Sequence, residues 1–252
     1  VTGGNRGIGL AIALGFASEG ARVAICGRDR EALASAGRAI EECGGTSWTV
    51  EADLFTADGC EHAIASVEER FGALDVLVNN ASTNVGGRLE ELTDEKLVER
   101  FMGKTLASMR LARAALPHLR RSGRGRVICI GGTSARVAHR EALPQGLGNS
   151  ALANFAKNFS ADVAPDGITV NVVHPPFTKS DRYPARLEAR AKERGISMEE
   201  AEASFIADFP IGRLVEPADI APMVLFLASA HASAVTGQTI AVDGGSSPVV
   251  VY

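Results

Sequence analysis

A chain of 252 residues with 46% hydrophobic and 22% charged side chains holds enough apolar material for a sizeable core and lacks the composition of a disordered segment. Its 26 Lys and Arg against 30 Asp and Glu leave a net charge of -4, which argues against nucleic acid or an anionic membrane as partner and favours a small-molecule substrate. Four scattered cysteines, Cys26, Cys43, Cys60 and Cys129, form no C-x-x-C pair, which argues against a disulfide framework or a metal site and fits a reducing, cytoplasmic compartment.

No linker or charge shift divides the chain, so residues 1–252 read as a single domain. In chain order, short β-branched runs alternate with longer segments of helical period. The chain opens on the stub of a strand, cut short at Val1, and turns through Thr2-Gly3-Gly4-Asn5-Arg6-Gly7-Ile8-Gly9 into a helix over Ile8–Ser18. Strands follow at Ala21–Cys26, Thr46–Glu51, Leu74–Val78, Arg126–Ile130, Thr169–Val173 and Thr239–Val242. Between them the helices fall at Arg30–Cys43, Ala57–Phe71, Asp94–Leu119, Ser150–Val163 and Ala218–Ala228. Such alternation predicts a parallel sheet with crossover helices, seven strands counting the stub. The Arg-, Glu- and Ala-rich stretch at about 182–210 interrupts the rhythm and is expected to be a helical insertion covering a substrate pocket.

The glycine-rich turn sits where backbone amides at a helix N-terminus can approach a pyrophosphate, although a merely tight strand–helix turn reads the same way. The second strand ends Ile25-Cys26-Gly27-Arg28, with no carboxylate to meet a ribose hydroxyl. Arg28 and Arg6 are two guanidiniums suited to a phosphate dianion; a solvated turn residue is the plain alternative for Arg28.

The spacing T-G-x-x-x-G-x-G resembles the signature of the short-chain dehydrogenases/reductases, and further landmarks follow in order: Asn79-Asn80-Ala81, Asn171-Val172-Val173-His174-Pro175 and Val242-Asp243-Gly244-Gly245. The resemblance runs from Val1 to about Ser246 and implies a doubly wound, three-layer α/β fold of Rossmann type. It implies NADP(H) as cofactor, held by Gly3, Asn5, Arg6, Gly7, Ile8 and Gly9 around the pyrophosphate and by Arg28 at the 2′-phosphate. It also implies Asp53 and Leu54 at the adenine, Asn80, Ala81 and Ser82 at the nicotinamide-side ribose, and Pro175, Phe177 and Thr178 at the carboxamide. Ser82 replaces a glycine there and crowds the contact; Pro176 replaces another and stiffens the turn.

Family chemistry moves a hydride between nicotinamide and a carbonyl carbon, with a tyrosine, lysine, serine and asparagine handling the proton and the carbonyl. Aligning the helix from Ser150-Ala151-Leu152 puts Gln145 at the tyrosine position and Asn149 at the lysine position. The serine position falls on Gly132, with Thr133 and Ser134 the nearest hydroxyls, and the asparagine position falls on Lys104. The chain has two tyrosines, Tyr183 and Tyr252, and neither lies near that motif. Lysine at 104 and asparagine at 149 look like an exchange of places, so Lys104 is expected to supply charge or a proton and Asn149 to bind the ribose; a surface-seeking Lys104 is the alternative. His139 is a second candidate acid in a loop, His174 reads as structural, and Lys157 as solvent-facing.

The expected function is therefore an NADP(H)-dependent oxidoreductase for a small carbonyl, alcohol or activated alkene with Lys104, Thr133, Gln145 and Asn149 at its centre; a silent NADP(H)-binding sensor or scaffold, or a lyase, are the alternatives. The resemblance also implies a homodimer or homotetramer built on the helices over 94–119 and 150–163, where Ala107, Ser108, Leu111, Ala112 and Ala115 suit either close interchain packing or an internal core. Arg182, Arg186 and Arg190 in the insertion point to an acidic substrate group or to a solvated face.

Overall fold

A computed structural model describes residues 1–83, 85–181 and 183–250, so Arg182 and Tyr252 lie outside the described residues. Within these, strands β1 (Arg22–Gly27), β2 (Thr46–Glu51), β3 (Val76–Asn79), β4 (Arg126–Ile130), β5 (Thr169–His174) and β6 (Thr239–Ala241) pair in parallel throughout. The sheet comes in two parts, β1-β2 and β3-β4-β5-β6. The opening stub joins them without becoming a regular strand: Gly3 N–H donates to Cys26 O at 2.7 Å on one side, and Thr2 N–H donates to Val78 O at 3.0 Å on the other. Where seven strands were expected, the described residues form six, with the Thr2–Cys26 bridge in the place of the seventh.

Parallel strands need long crossovers, and helices α1 (Gly7–Ser18), α2 (Arg30–Glu42), α3 (Ala57–Phe71), α4 (Asp94–Phe101), α5 (Ala107–Ser122), α6 (Leu143–Val163), α7 (Tyr183–Arg194), α8 (Met198–Ile206) and α9 (Pro217–Ala228) supply them. Side chains of Asp29 and Thr56 cap α2 and α3 by accepting from Ala32 N–H and Gly59 N–H, which fixes where each crossover begins. β4 and β5 are buried at every residue, as central strands covered on both faces must be. Leu111, Ala112 and Ala115 of α5 and Leu152 and Ala156 of α6 form one apolar layer with α3, while Ile12 of α1 and Ile220 and Val224 of α9 form the other together with α7 and α8. The small residues of α5 therefore belong to the core of this chain.

Two helices depart from the sequence reading. The segment expected as one helix over Asp94–Leu119 is two, α4 and α5, joined by a widened π-turn over Met102–Leu106. Gly103 needs that close approach: a Cβ there would lie 2.5 Å from Thr83 Cγ2 and 2.7 Å from the Phe55 ring. Helix α6 starts at Leu143 rather than Ser150, because Pro144 is tolerated in a first turn and Gly146 and Gly148 do not break it. The insertion is helical as expected, with α8 opened by a reciprocal Ser197–Glu200 capping box.

Candidate functional site

A cleft of about 1540 Å³ opens above the C-terminal ends of the strands, where the opening stub bridges β1 and β3. This is the switch point at which open parallel sheets take ligands. Gly3, Asn5, Arg6, Gly7, Ile8 and Gly9 all line it. The loop is held from beneath: Thr2 Oγ1 accepts from Asn80 N–H and Ala81 N–H, each at 2.9 Å, and Asn80 Nδ2 donates to Thr2 O and Gly3 O. Asn80 thus braces the glycine loop as well as lining the cleft. A Cβ on Gly9 would sit 2.2 Å from Gly3 O and 2.5 Å from Asn80 Nδ2, so only glycine lets α1 begin this close. No side chain caps that helix and no acid stands in its first turn, leaving its amides and dipole to an anion.

At one end of the cleft, Arg28 lies 5.3 Å from the centroid of Phe55, and both line the wall together with Asp53 and Leu54. Arg110 Nη1 donates to Phe55 O at 2.8 Å, and Asp53 Oδ1 accepts from Phe55 N–H at 3.1 Å, which fixes that short loop. Nothing in the sequence singled out Phe55. An open helix N-terminus, a steric demand for glycine and a flanking pair of arginines together fit a phosphorylated dinucleotide.

At the other end, the π-turn directs three consecutive residues, Gly103, Lys104 and Thr105, into the interior. Lys104 is 3% exposed and its Nζ donates to Ile130 O at the end of β4. Burial, helped by the nearby Arg100 charge, pulls this amine down to about 7 from an ordinary 10.5. The alternative of a surface-seeking lysine is set aside. Asn149 is equally buried: its Nδ2 donates to Ser134 Oγ at 3.0 Å, while its Oδ1 has no partner among the described residues. Gln145 lines the same wall one turn earlier, with its Oε1 also unpartnered there. Thr133 is a lining residue whose N–H donates to Pro175 O, but the hydroxyl that touches Asn149 belongs to Ser134. The sequence placed Ser134 only as a neighbour of the serine position.

Ser82, expected to crowd the site, has a partner of its own. Its Oγ accepts from Nη1 of Arg100, a 5% exposed arginine that also donates to Thr83 O. Amphipathic periodicity gave no sign of that buried guanidinium. Pro175, Phe177 and Thr178 line the cleft, with Thr178 paired to Val215. His139 is an exposed lining residue. His174 is buried in β5, accepts from Gly132 N–H through Nδ1 at 2.9 Å and is pushed down to about 4 chiefly by burial, so it stays neutral and structural. Lys157 is exposed, as expected.

Tyr183 is turned away from the cleft. Its hydroxyl donates to Glu202 Oε1 at 3.0 Å, burial and that carboxylate push it up to about 12, and it is absent from the residues lining the cleft. Around it α7 and α8 fold back on the cleft: Phe177 stacks on Phe205 at 4.8 Å, and Arg186 and Arg190 lie over Phe177 and Phe205. Among the described residues no three His, Cys, Asp or Glu side chains are grouped to hold a metal, and no helix is long and apolar enough to cross a membrane.

Comparison with known proteins agrees with this geometry. The family model described as enoyl-(acyl carrier protein) reductase matches residues 3–247. A putative ketoacyl reductase of Streptomyces coelicolor is 35% identical over 252 residues, covering 97% of this chain and 95% of that protein. A hydroxynaphthalene reductase of Aspergillus fumigatus is 36% identical over 242 residues, covering 94% and 88%. Among solved structures, a variant of actinorhodin polyketide ketoreductase with NADPH superposes with a TM-score of 0.94 at 33% identity, covering 99% of this chain and 96% of that one. The L-sorbose reductase of Gluconobacter frateurii, complexed with NADPH and L-sorbose, gives 0.95 at 31% identity with the same two coverages.

Proposed function

Because the chain belongs to the short-chain dehydrogenase/reductase family, we propose that it is an NADP(H)-dependent reductase of small carbonyl compounds whose proton donor is Lys104. The observation that carries this is the buried Lys104 amine in the wall of the cleft that Asn149 and Ser134 also line, with a pKa brought to about 7. NADP(H), when bound, supplies or takes up the hydride. Gly3, Asn5, Arg6, Gly7, Ile8 and Gly9 hold its pyrophosphate, and Arg28 its 2′-phosphate; Asp53 and Leu54 line the adenine end. Ala81, Ser82, Pro175, Phe177 and Thr178 wall the nicotinamide end.

The remaining chemistry falls to side chains of this chain. Lys104 gives a proton to the carbonyl oxygen as that oxygen gains charge, a task suited to an acid titrating near the working pH. Ser134 accepts from Asn149 and so keeps its own O–H to donate to the same oxygen, with the Gln145 amide as a further donor. Asn149 Oδ1 is an acceptor available to a ribose hydroxyl. On this reading Gln145, Asn149 and Lys104 stand where the family's tyrosine, lysine and asparagine do, and Thr133 shapes the serine loop. Helices α7 and α8 serve as the substrate lid, and the Val1–Gly3 stub as the seventh strand. Exposed Val98 and Phe101 on α4 and Leu143 and Leu147 on the adjoining α6 support assembly as a homodimer or homotetramer.

The test is to titrate the purified protein with NADPH by fluorescence, then to follow nicotinamide absorbance across a panel of ketones, aldehydes and enones. Carbonyl turnover that declines as pH rises through about 7 supports the proposal, since a deprotonated amine has no proton to give. Tight NADPH binding without turnover in either class would leave a silent binding protein. Failure to bind NADPH would end both readings.

A further inference from the structure

Two arginines one turn apart on α7 have different employment. Arg190 is taken up by α8: its guanidinium lies 3.4 Å from the Phe205 centroid, Nη1 donates to Ser204 Oγ, and the Asp208 carboxylate offsets its charge. That is a strut between the two helices. Arg186 lies over Phe177 at 5.5 Å and lines the cleft, yet it has no carboxylate and no hydrogen-bond partner among the described residues. An arginine stacked on an aromatic face keeps its N–H edge free and loses little further freedom when that edge meets an oxyanion. Phe177 is in turn fixed by Phe205 at 4.8 Å and by Tyr183 at 6.0 Å, so the platform beneath Arg186 is rigid.

We infer that Arg186, resting on Phe177 at the insertion side of the cleft, selects substrates that carry a carboxylate or other oxyanion remote from the reacting carbonyl. This rests on the reductase reading and names the substrate class for that site. A cofactor pyrophosphate carries the same oxyanion chemistry, and Ser180, near the start of the insertion, approaches the glycine loop, its Cβ 3.8 Å from a Cβ built on Gly7. The experiment must therefore separate the two anions.

Two aldehyde probes do so: 4-formylbenzoate and 4-formylbenzamide share ring and reacting group and differ in one charge. Each is reduced to its benzyl alcohol, with hydride from NADPH to carbon and a proton to oxygen. The expected result is a kcat/KM preference of about tenfold or more for the carboxylate, as one charge-assisted hydrogen bond provides. Arg186→Ala should remove that preference through KM, Arg186→Lys should keep part of it, and the NADPH dissociation constant should move less than about twofold in both. Arg186 is exposed, so neither variant threatens folding. Equal use of the two probes, or turnover of neither at saturating NADPH, overturns the inference while leaving cofactor binding intact. Loss of NADPH affinity in Arg186→Ala with the probe preference unchanged would assign the arginine to the pyrophosphate instead. If the wild-type protein bound no NADPH, the reductase reading itself would have failed first.

Discussion

Replacing Lys104 with methionine separates what the buried amine does for chemistry from what it costs the fold. An amine that titrates at 10.5 in the unfolded chain and at about 7 in the folded one has released a proton on folding between those values. The unfolded chain then binds more protons, so stability rises with pH across that window; the opposition to folding grows as pH falls from 10.5 and levels off below about 7. At about 1.4 kcal/mol for each tenfold, the full opposition is on the order of 5 kcal/mol. Lys104→Met abolishes it but leaves the Ile130 carbonyl without the bond from Nζ, a loss of about 1–3 kcal/mol. The expected variant is more stable than wild type by about 2–4 kcal/mol near pH 6 to 7. That advantage shrinks as pH rises and reverses toward about pH 10, where only the orphaned carbonyl remains. The same variant should lose about 10²–10⁴ in kcat if the amine is the proton donor. Urea unfolding of the cofactor-free proteins at a series of pH values, with turnover measured in parallel, reads both. A variant destabilised by the same amount at every pH would refute the claim that burial has neutralised this lysine.

Other expectations follow from the cofactor end. Gly9→Ala places a methyl 2.2 Å from Gly3 O, so it should cost roughly 1–3 kcal/mol of stability and weaken NADPH binding at least about tenfold by fluorescence titration; full affinity would mean the loop is not held as described. Arg28→Ala should lower NADPH affinity about tenfold or more while leaving NADH affinity nearly unchanged, and Phe55→Ala should act in the same direction more weakly by freeing the guanidinium from its ring. Equal losses for the two dinucleotides would remove Arg28 from the 2′-phosphate.

Much of this architecture is legible in the chain because parallel-sheet crossovers leave a coarse signal: β-branched runs of three to six residues between helices survive any detail of packing. The glycine loop, Arg28 and Asp53 could be placed because they follow strand ends directly. Three features could not be read this way. A π-turn has no sequence period, so α4 and α5 looked like one helix and Lys104 could equally have faced solvent. Arg100 is an arginine in a helix rich in charge, and only the tertiary contact with Ser82 and Thr83 distinguishes it from a solvated one. Ser134 and Thr133 are adjacent hydroxyls, and the choice between them depends on a short turn whose direction is set by Pro175, 42 residues after Thr133.

The π-turn also explains why position 104 is a sound place for a substitution test. Successive residues of a helix point about 100° apart, so three in a row can be buried only where the segment is flanked on several sides. Gly103 meets Thr83 and Phe55, Thr105 donates to Gly148 O at 3.1 Å, and Ser108 donates back to Lys104 O at 2.8 Å. These contacts come from the loop after β3, from the loop after β2, from α6 and from α5 itself, and none involves the lysine side chain. The backbone at 104 is therefore held by its neighbours, and exchanging the amine for an apolar chain of similar length changes the group presented to the cleft without moving the turn that presents it.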